Sequence, residues 1–575
     1  MKRNITLHTL GYALCGLLGL SSCSDFLEVK PQNVTIEDDF WNEKSDVDQM
    51  ITGLYASLQD ASCVKRMMVW GEFRSDNVTA GSNIDKDADL QKIFKEDINA
   101  SNGYTTWTPF YYVINSANTI IEKAPAVAEN DPSFSESELR ADIAEASALR
   151  DLCYFYLIRT FRDVPYTTKA FADDNQTMAL PATSFDNVLD SLINDLEYQQ
   201  QYAVSTYPSA TTSQALYQTG RITQDAIRAM LCDMYLWKKD YANCIKYADL
   251  VIQSKLKRAK DDGDFSKMTT DQLNRVGGYP LTLDSYSSMS NNYYGNAYTT
   301  IFGEGNSNES IFELTYMDAD NMPSNGAVND YYVHTDGSVT RGFAAPSTYV
   351  GGTEGQDNQV FSKYDGRYLE MINNRTYIAK YGCKSVTIDY SDVNNPKADY
   401  GDVYASGRCK GNWIIYRLTD VMLMKAEALA AQMSGASELT TQDQSYLTQA
   451  FSLVNAVNKR SVCQTTLKDT LVLADYQTKE KIEDLVMKER QRELMFEGKR
   501  WYDLVCRARR DGNTQYLVQQ ALMKYSSNTA AISAKMAKMD YIYWPYNVEE
   551  LKVNTNLKQN PAFGSGVDDK YQTTK

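Results

Sequence analysis

A chain of 575 residues with a net charge of −16 can bury a large core, but it lacks the basic footprint that nucleic-acid binding requires. Its 43% hydrophobic and 23% charged content is that of a folded protein. The two histidines are His8, near the N-terminus, and His334, which removes most Ser-His-Asp, Cys-His and His-ligated metal mechanisms. No CxxC or His-rich cluster supplies zinc ligands, so neither a metal nor a cofactor is expected. The 41 tyrosines stand out, because Tyr joins a flat apolar face to a hydroxyl and suits half-wet surfaces as well as helix packing.

Lys2 and Arg3 lead into an apolar run, Leu10 to Leu20, that ends at Ser21-Ser22. This is the pattern of a secretory signal, and the run is shorter than the roughly 20 residues of a membrane span. Leu20-Ser21-Ser22-Cys23 resembles the lipobox of bacterial lipoproteins, which makes Cys23 the acylated first residue of the mature chain. Several acyl chains, palmitate among them, hold a protein firmly where one binds reversibly. The remaining cysteines form no compact disulfide framework, and Cys383 with Cys409, both in loop-rich sequence, is the one pair considered for a bridge.

Helical periodicity is expected over Asp46–Leu58, Trp107–Ile121, Leu139–Phe161 and Phe185–Leu196. Between the first two, Trp70–Asn83 reads as a polar loop holding a Trp, an Arg and an Asp. Ile222–Trp237 and Tyr241–Ile252 form a hairpin turning near Lys239-Asp240, with Ala226, Ala229, Ala242 and Ala248 allowing close approach. That alternation resembles tetratricopeptide units, and such hairpins must stack to bury their faces. From 254 to 411 Gly, Asn, Ser, Asp and Tyr dominate, with short strands such as Ser310–Tyr316. Long irregular inserts on a helical scaffold tend to carry binding function. Helices resume at Ile414–Ala431, Gln449–Lys459 and Lys488–Val505, and Tyr541–Phe563 reads as an extended cap.

Glu489, Glu493 and Glu497 fall four residues apart, so on one continuous helix they share a face and repel. They call for cations from elsewhere, or for a catalytic role. Two carboxyls about 5–10 Å apart would suit a glycoside hydrolase, and one helical turn is about 5.4 Å. Against that, Arg490, Arg492 and Arg500 interleave with them, and Arg417 and Arg150 lie on other helices. Neighbouring guanidiniums lower a carboxyl pKa, the reverse of what a general acid needs. Pairing between helices is therefore expected, with Trp501 packed against the adjacent pair.

Several segments together resemble the SusD/RagB family of outer-membrane nutrient-binding lipoproteins. They are Cys23–Leu27; Trp107, Tyr111, Ile114, Asn115 and Asn118; Glu145-Ala146, Leu149-Arg150, Tyr154-Phe155, Phe161 and Val164-Pro165; and Gly220-Arg221. Further on come Arg417, Asp420, Leu423-Met424 and Ala426–Ala428, then Glu489-Arg490, Glu493-Leu494, Phe496–Gly498, Arg500-Trp501 and Asp503-Leu504. Pro545, Leu557 and Gln559–Pro561 close the series. Arg162 stands where Gly is usual, and Asn554-Thr555 replaces Asn-Pro.

The resemblance implies a mainly α, SusD-like fold in which tetratricopeptide-like pairs form a right-handed superhelix carrying an irregular, loop-rich domain with short strands. The expected divisions are a signal peptide over 1–22, a helical region over 23–253, a ligand-binding insert over 254–411 and a second helical region with its cap over 412–575. It also implies a non-enzymatic lipoprotein, anchored to outer-membrane lipid and exposed at the cell surface. Such a protein captures oligosaccharide, or peptide in some members, and passes it to a SusC-like TonB-dependent transporter. Sugar rings need flat aromatics flanked by polar groups, and that composition occurs at Trp70, Arg74 and Asp76 and again at Tyr293, Tyr294 and Tyr298. These six are the expected ligand residues.

Overall fold

The computed structural model describes residues 40–171, 178–208, 212–316, 323–332, 342–392, 394–405, 408–463 and 470–564. Residues 1–22, expected to be a signal, Cys23 and His334 lie outside them. The frame is a run of helices in which each packs on its neighbours. Helix α1 (Lys44–Gln59) opens it and buries Val47, Ile51, Leu54 and Leu58, the spacing that the periodicity anticipates. Helix α2 (Ala61–Met68) follows at once. Helices α3 (Thr108–Asn130) and α4 (Glu136–Phe161) form the next pair. Ser135 caps α4 in a reciprocal box with Glu138, satisfying otherwise unpaired N–H groups of the first turn. The chain leaves α4 through Arg162 at φ +71°, a left-handed backbone that favours glycine. Ion pairs from Arg162 to Asp163 and Asp540 accompany this backbone.

Helix α5 (Phe185–Gln199) packs against α4 and against α6 (Gln224–Lys238). The turn from α6 into α7 (Tyr241–Asp261) falls where expected. Lys239 is left-handed at φ +66° and the Asp240 side chain caps α7 by accepting from Asn243 N–H. Ala226, Ala229 and Ala248 are fully buried at the close approach, whereas Ala242 faces solvent. Helix α8 (Leu418–Gln432) lies on α7, and α9 (Thr441–Arg460) and α10 (Lys479–Leu494) complete the stack before α11 (Arg500–Asp511).

Apart from a two-residue pairing of Val164–Pro165 with Ala182–Thr183, the small sheets occupy the stretch between α7 and α8, with one early strand joining them. Strand β1 (Val78–Ala80) pairs antiparallel with β5 (Ala344–Pro346). Strands β2 (Ser285–Ser287), β3 (Asn292–Tyr294), β8 (Ser385–Asp389) and β9 (Lys397–Gly401) form a four-stranded sheet in the order β9-β8-β3-β2. Strand β4 (Ser310–Leu314) pairs with β10 (Trp413–Arg417), and β6 (Ile372–Asn373) with β7 (Tyr377–Ile378) as a hairpin.

Three expectations change here. Trp413–Arg417 is a strand, not the start of a helix: its Trp-Ile-Ile-Tyr run is β-branched and aromatic and has β4 to pair with. Val69–Phe73 is not loop but a π-helical turn, buried throughout, that continues α2. Cys383 and Cys409 are unbridged; their buried thiols lie 3.3 Å from the Tyr298 hydroxyl and 3.4 Å from the Tyr381 carbonyl respectively.

The stretch Lys488–Val505 is also not one helix. It breaks between α10 and α11 at a turn in which Phe496 and Gly498 have φ of +67° and +70°. The buried Glu72 carboxylate fixes this turn, accepting N–H groups of Phe496 at 3.1 Å and Lys499 at 3.2 Å. Gly71 lets the two backbones meet, since a Cβ there would stand 1.8 Å from the Gly498 carbonyl oxygen. Backbone cannot move aside as a side-chain tip can. Gly71→Ala should therefore cost about 3 kcal/mol or more in urea unfolding, whereas Gly53→Ala, with open space around its Cβ position, should change stability by under about 1 kcal/mol.

Candidate functional site

An open cleft of about 1590 Å³ lies between β5, the hairpin β6–β7 and strand β9. Thr79 to Ser82, at the end of the early β1, contribute to one wall through their pairing with β5. The lining also carries Phe361, Tyr368, Tyr377, Tyr390 and Tyr400, together with Asn373, Asn374, Asn394 and Asn395. Tyr368 and Phe361 lie with centroids 5.9 Å apart, and each ring is held from behind. The Tyr368 hydroxyl donates to Gly351 O at 2.8 Å, and Tyr400 donates to Leu369 O at 2.6 Å. Asn358 Oδ1 accepts the N–H groups of Val360 and Phe361, fixing the loop that carries Phe361. The arrangement offers fixed aromatic faces and side-chain amides to a ligand that is apolar on its faces and polar at its edges.

At the tip of β6–β7, Asn374 and Arg375 both have left-handed backbones, with φ of +47° and +63°. A left-handed arginine costs about 1 kcal/mol or more, so the surroundings must hold it. They do: Gly351 admits the Arg375 carbonyl so closely that a Cβ would stand 2.3 Å from it, and Arg375 Nη1 donates to Thr353 O. Burial holds the Tyr368 hydroxyl above the usual phenol range, and the adjacent Arg375 guanidinium opposes that shift.

The residues expected to meet ligand lie mostly elsewhere. Trp70, Arg74 and Asp76 are fully buried. Trp70 Nε1 donates to Tyr104 O at 2.8 Å, and its ring sits between Phe110 and Phe161. Arg74 is bonded to Glu96 and to the carbonyls of Tyr541 and Ile542, with its guanidinium 4.3 Å from the centroid of the Trp501 ring. Asp76 accepts from Arg500 through both carboxylate oxygens at 2.9 Å and from Gln491. Tyr298 is buried and donates to Ala379 O at 2.9 Å. Tyr293 is buried too, and reaches the cleft only through Tyr390, 5.6 Å away between ring centroids. Tyr294 is 40% exposed but sits on the other face of its sheet, since successive strand residues point to opposite sides. The signal that could have led to the cleft was the Asn- and Tyr-rich sequence from 368 to 400.

The carboxylate row is ionic. Glu493 accepts from Arg367, at 2.9 Å, and from Arg417 and Arg460. Glu489 accepts from Arg367 at 2.8 Å and from Arg492 at 2.6 Å. Glu497, displaced from the helix into the turn, is held bidentately by Arg417 and bonded to Lys380 at 2.6 Å. Arg460 also grips both oxygens of Glu309. Arg150 takes no part and pairs with Asp151 and Asp195. Burial alone would raise the Glu493 carboxyl, but Arg460, Arg417 and Arg367 outweigh it and hold it well below the usual value. Glu489 and Glu497 are lowered in the same way. Burial of Lys380 brings its ammonium down to about 8. Trp501 packs beneath Arg74 and donates to Ile542 O at 3.3 Å.

The stacked helical frame and the ring-lined cleft define a mainly helical protein with small sheets that line an open cleft. The SusD family model matches residues 283–563, and a model described as starch-binding and associating with the outer membrane matches 25–236. The chain belongs to the SusD family. It is similar to a SusD-like protein of Formosa agariphila, 26% identical over 84% of this chain and 88% of the relative. A SusD homologue of Bacteroides thetaiotaomicron has the same fold, with a TM-score of 0.61 and 21% identity over 91% of this chain and 99% of that one. A laminarin-binding SusD-like protein shares the fold at a TM-score of 0.58 and 18% identity, over 90% and 99% of the two chains.

Removing one member of a buried ion pair strands its partners, so Glu493→Gln should lower stability by about 3–5 kcal/mol at neutral pH. A carboxyl whose folded pKa is depressed contributes above its unfolded value, 4.5 for Glu, and loses that contribution as pH falls below it. The stability gap between wild type and variant, read from chemical denaturation, should be constant above about pH 5 and narrow below it. Asp76→Asn should likewise lower the melting temperature while leaving ligand affinity of the folded protein unchanged.

Proposed function

We propose that the protein is a non-catalytic nutrient-binding lipoprotein that captures an oligosaccharide in this cleft and delivers it to a SusC-like TonB-dependent transporter of the outer membrane. Acyl chains on Cys23 anchor it at the cell surface. The observation that carries the reading is the open cleft lined by Tyr377 and by Tyr368 and Tyr400, whose hydroxyls are held by backbone carbonyls. At about 1590 Å³ it exceeds the roughly 300–1,000 Å³ of small-molecule sites and suits an oligomer. Family membership and the laminarin-binding relative support the same ligand class. The hydrolase alternative loses its candidate acids, because Glu489, Glu493 and Glu497 are buried in ion pairs that favour the carboxylate form.

Electrophoresis of the mature chain in polysaccharide-containing gels tests the reading. Retardation by at least one glycan is expected, without release of reducing sugar on long incubation. Tyr377→Ala should weaken that binding at least about fivefold with the fold intact. Retention of peptides but of no glycan would move the reading to peptide capture, and steady hydrolysis would overturn it. In cells, Cys23→Ala should abolish fatty-acid labelling and release the protein from the membrane fraction.

A further inference from the structure

The charge of the cleft differs from that of the chain around it. Three cations line it with exposed side chains, Lys363, Arg375 and Lys397, and none is within ion-pair distance of a carboxylate among the described residues. The exposed carboxylates of the lining are Glu354 and Asp357. Asp365 also lines the cleft but is neutralised by Arg367, which it meets at 2.7 Å. Among the described residues the exposed lining thus carries three positive charges against two negative, on a chain whose net charge is −16. On such a surface an exposed cationic rim marks selection for a negative ligand, since complementary potential sets specificity more than raw affinity.

Arg375 is the most constrained of the three. Its left-handed backbone, the close approach to Gly351 and the bond from Nη1 to Thr353 O fix it at the tip of the hairpin, beside the Tyr368 ring. The guanidinium spends one donor in that bond and lies against the Tyr368 hydroxyl, and its side chain is exposed at the cleft lining. Guanidinium is the group best matched to a planar oxyanion, which it binds by paired N–H donors. Lys363 lies on the loop beyond Phe361, and Lys397 begins β9, across the ladder from Asp389. The cations thus stand on three separate segments around a cleft whose walls are tyrosine and asparagine.

Resting on the glycan-capture reading, we propose that the cleft selects an acidic saccharide, one that bears carboxylate or sulfate groups, with Arg375 binding an anionic substituent of the ring that stacks at Tyr368. Lys363 and Lys397 add attraction at longer range and are more readily screened by salt.

The test uses the mature full-length chain and three probes. These are a polygalacturonate oligosaccharide, the same oligosaccharide after carboxyl reduction to its neutral twin, and a sulfated galactan oligosaccharide of matched length. Isothermal titration at low ionic strength should show at least one acidic probe binding about tenfold or more tighter than the neutral twin, with the preference shrinking as salt rises. Uronate or sulfate is then named by the probe that gains. Arg375→Met, an exposed substitution, should reduce the ratio of acidic-probe to neutral-twin affinity to under about threefold, with the melting temperature of the variant checking that the fold is kept. Equal binding of all three probes, or preference for the neutral twin, would overturn the acidic assignment and leave glycan capture standing. A preference that Arg375→Met does not alter would overturn the role of Arg375. Binding of none of the three, together with no retardation by any polysaccharide, would remove the underlying reading itself.

Discussion

The Glu493 carboxylate, fully enclosed and met by Arg367, Arg417 and Arg460, is the interaction on which the rest of the structure depends. Each arginine comes from a different part of the chain: the wall of the cleft, the junction of β10 with α8, and the end of α9. Their remaining hydrogen bonds reach Asp365, Glu497 and Glu309, so a single carboxylate is the centre of a charge lattice that spans frame and insert. Removal of solvent makes every such charge costly alone and firmly placed when paired. The gain is geometric: the lattice fixes where the insert sits on the helices.

That placement leads directly to the cleft. Arg367 is flanked by Asp365 and Tyr368, both of which line it, so the residue that meets Glu489 and Glu493 inside also sets the ring presented outside. The division of labour follows. Helices and ion pairs supply rigidity, and short strands and turns supply a surface whose side chains can vary. The Tyr368 and Tyr400 hydroxyls bond to backbone carbonyls of the same region, so the rings keep their orientation without depending on neighbouring side-chain identity.

Much of the frame was legible in the sequence because its signals are local. The α1 stripe and the turn at Lys239-Asp240 each fall within one helical turn of the residues they organise. The pairing of Glu493 with arginine also followed, since like charges with interleaved guanidiniums need partners. The cleft was harder. A Trp, an Arg and an Asp within seven residues describe a sugar-binding loop and a buried ionic core equally well. The difference lies in partners, and Asp76 finds Arg500 at a separation of 424 residues. Glu497 left the helix for a similar reason: Glu72, far off in sequence, captures the N–H groups that would have continued it. Trp413–Arg417 became a strand because β4 offered it an edge. In each case a distant partner overrode the local pattern.

The same long connections govern when the protein can exist at all. Residues next to the early helices are completed by the last part of the chain: Gly71 by Gly498, Arg74 by the carbonyls of Tyr541 and Ile542, and Thr160 by the backbone N–H of Trp544. Until those late residues are available, Arg74 has lost two of its acceptors and Glu72 has no turn to bind. Closure across such spans is slow, and it rewards the chain only at the end. An N-terminal fragment keeps the Arg74–Glu96 pair but leaves buried Asp76 without Arg500 and Glu72 without the turn it fixes. In a chain of this design the early core is completed only by the segment that is synthesised last.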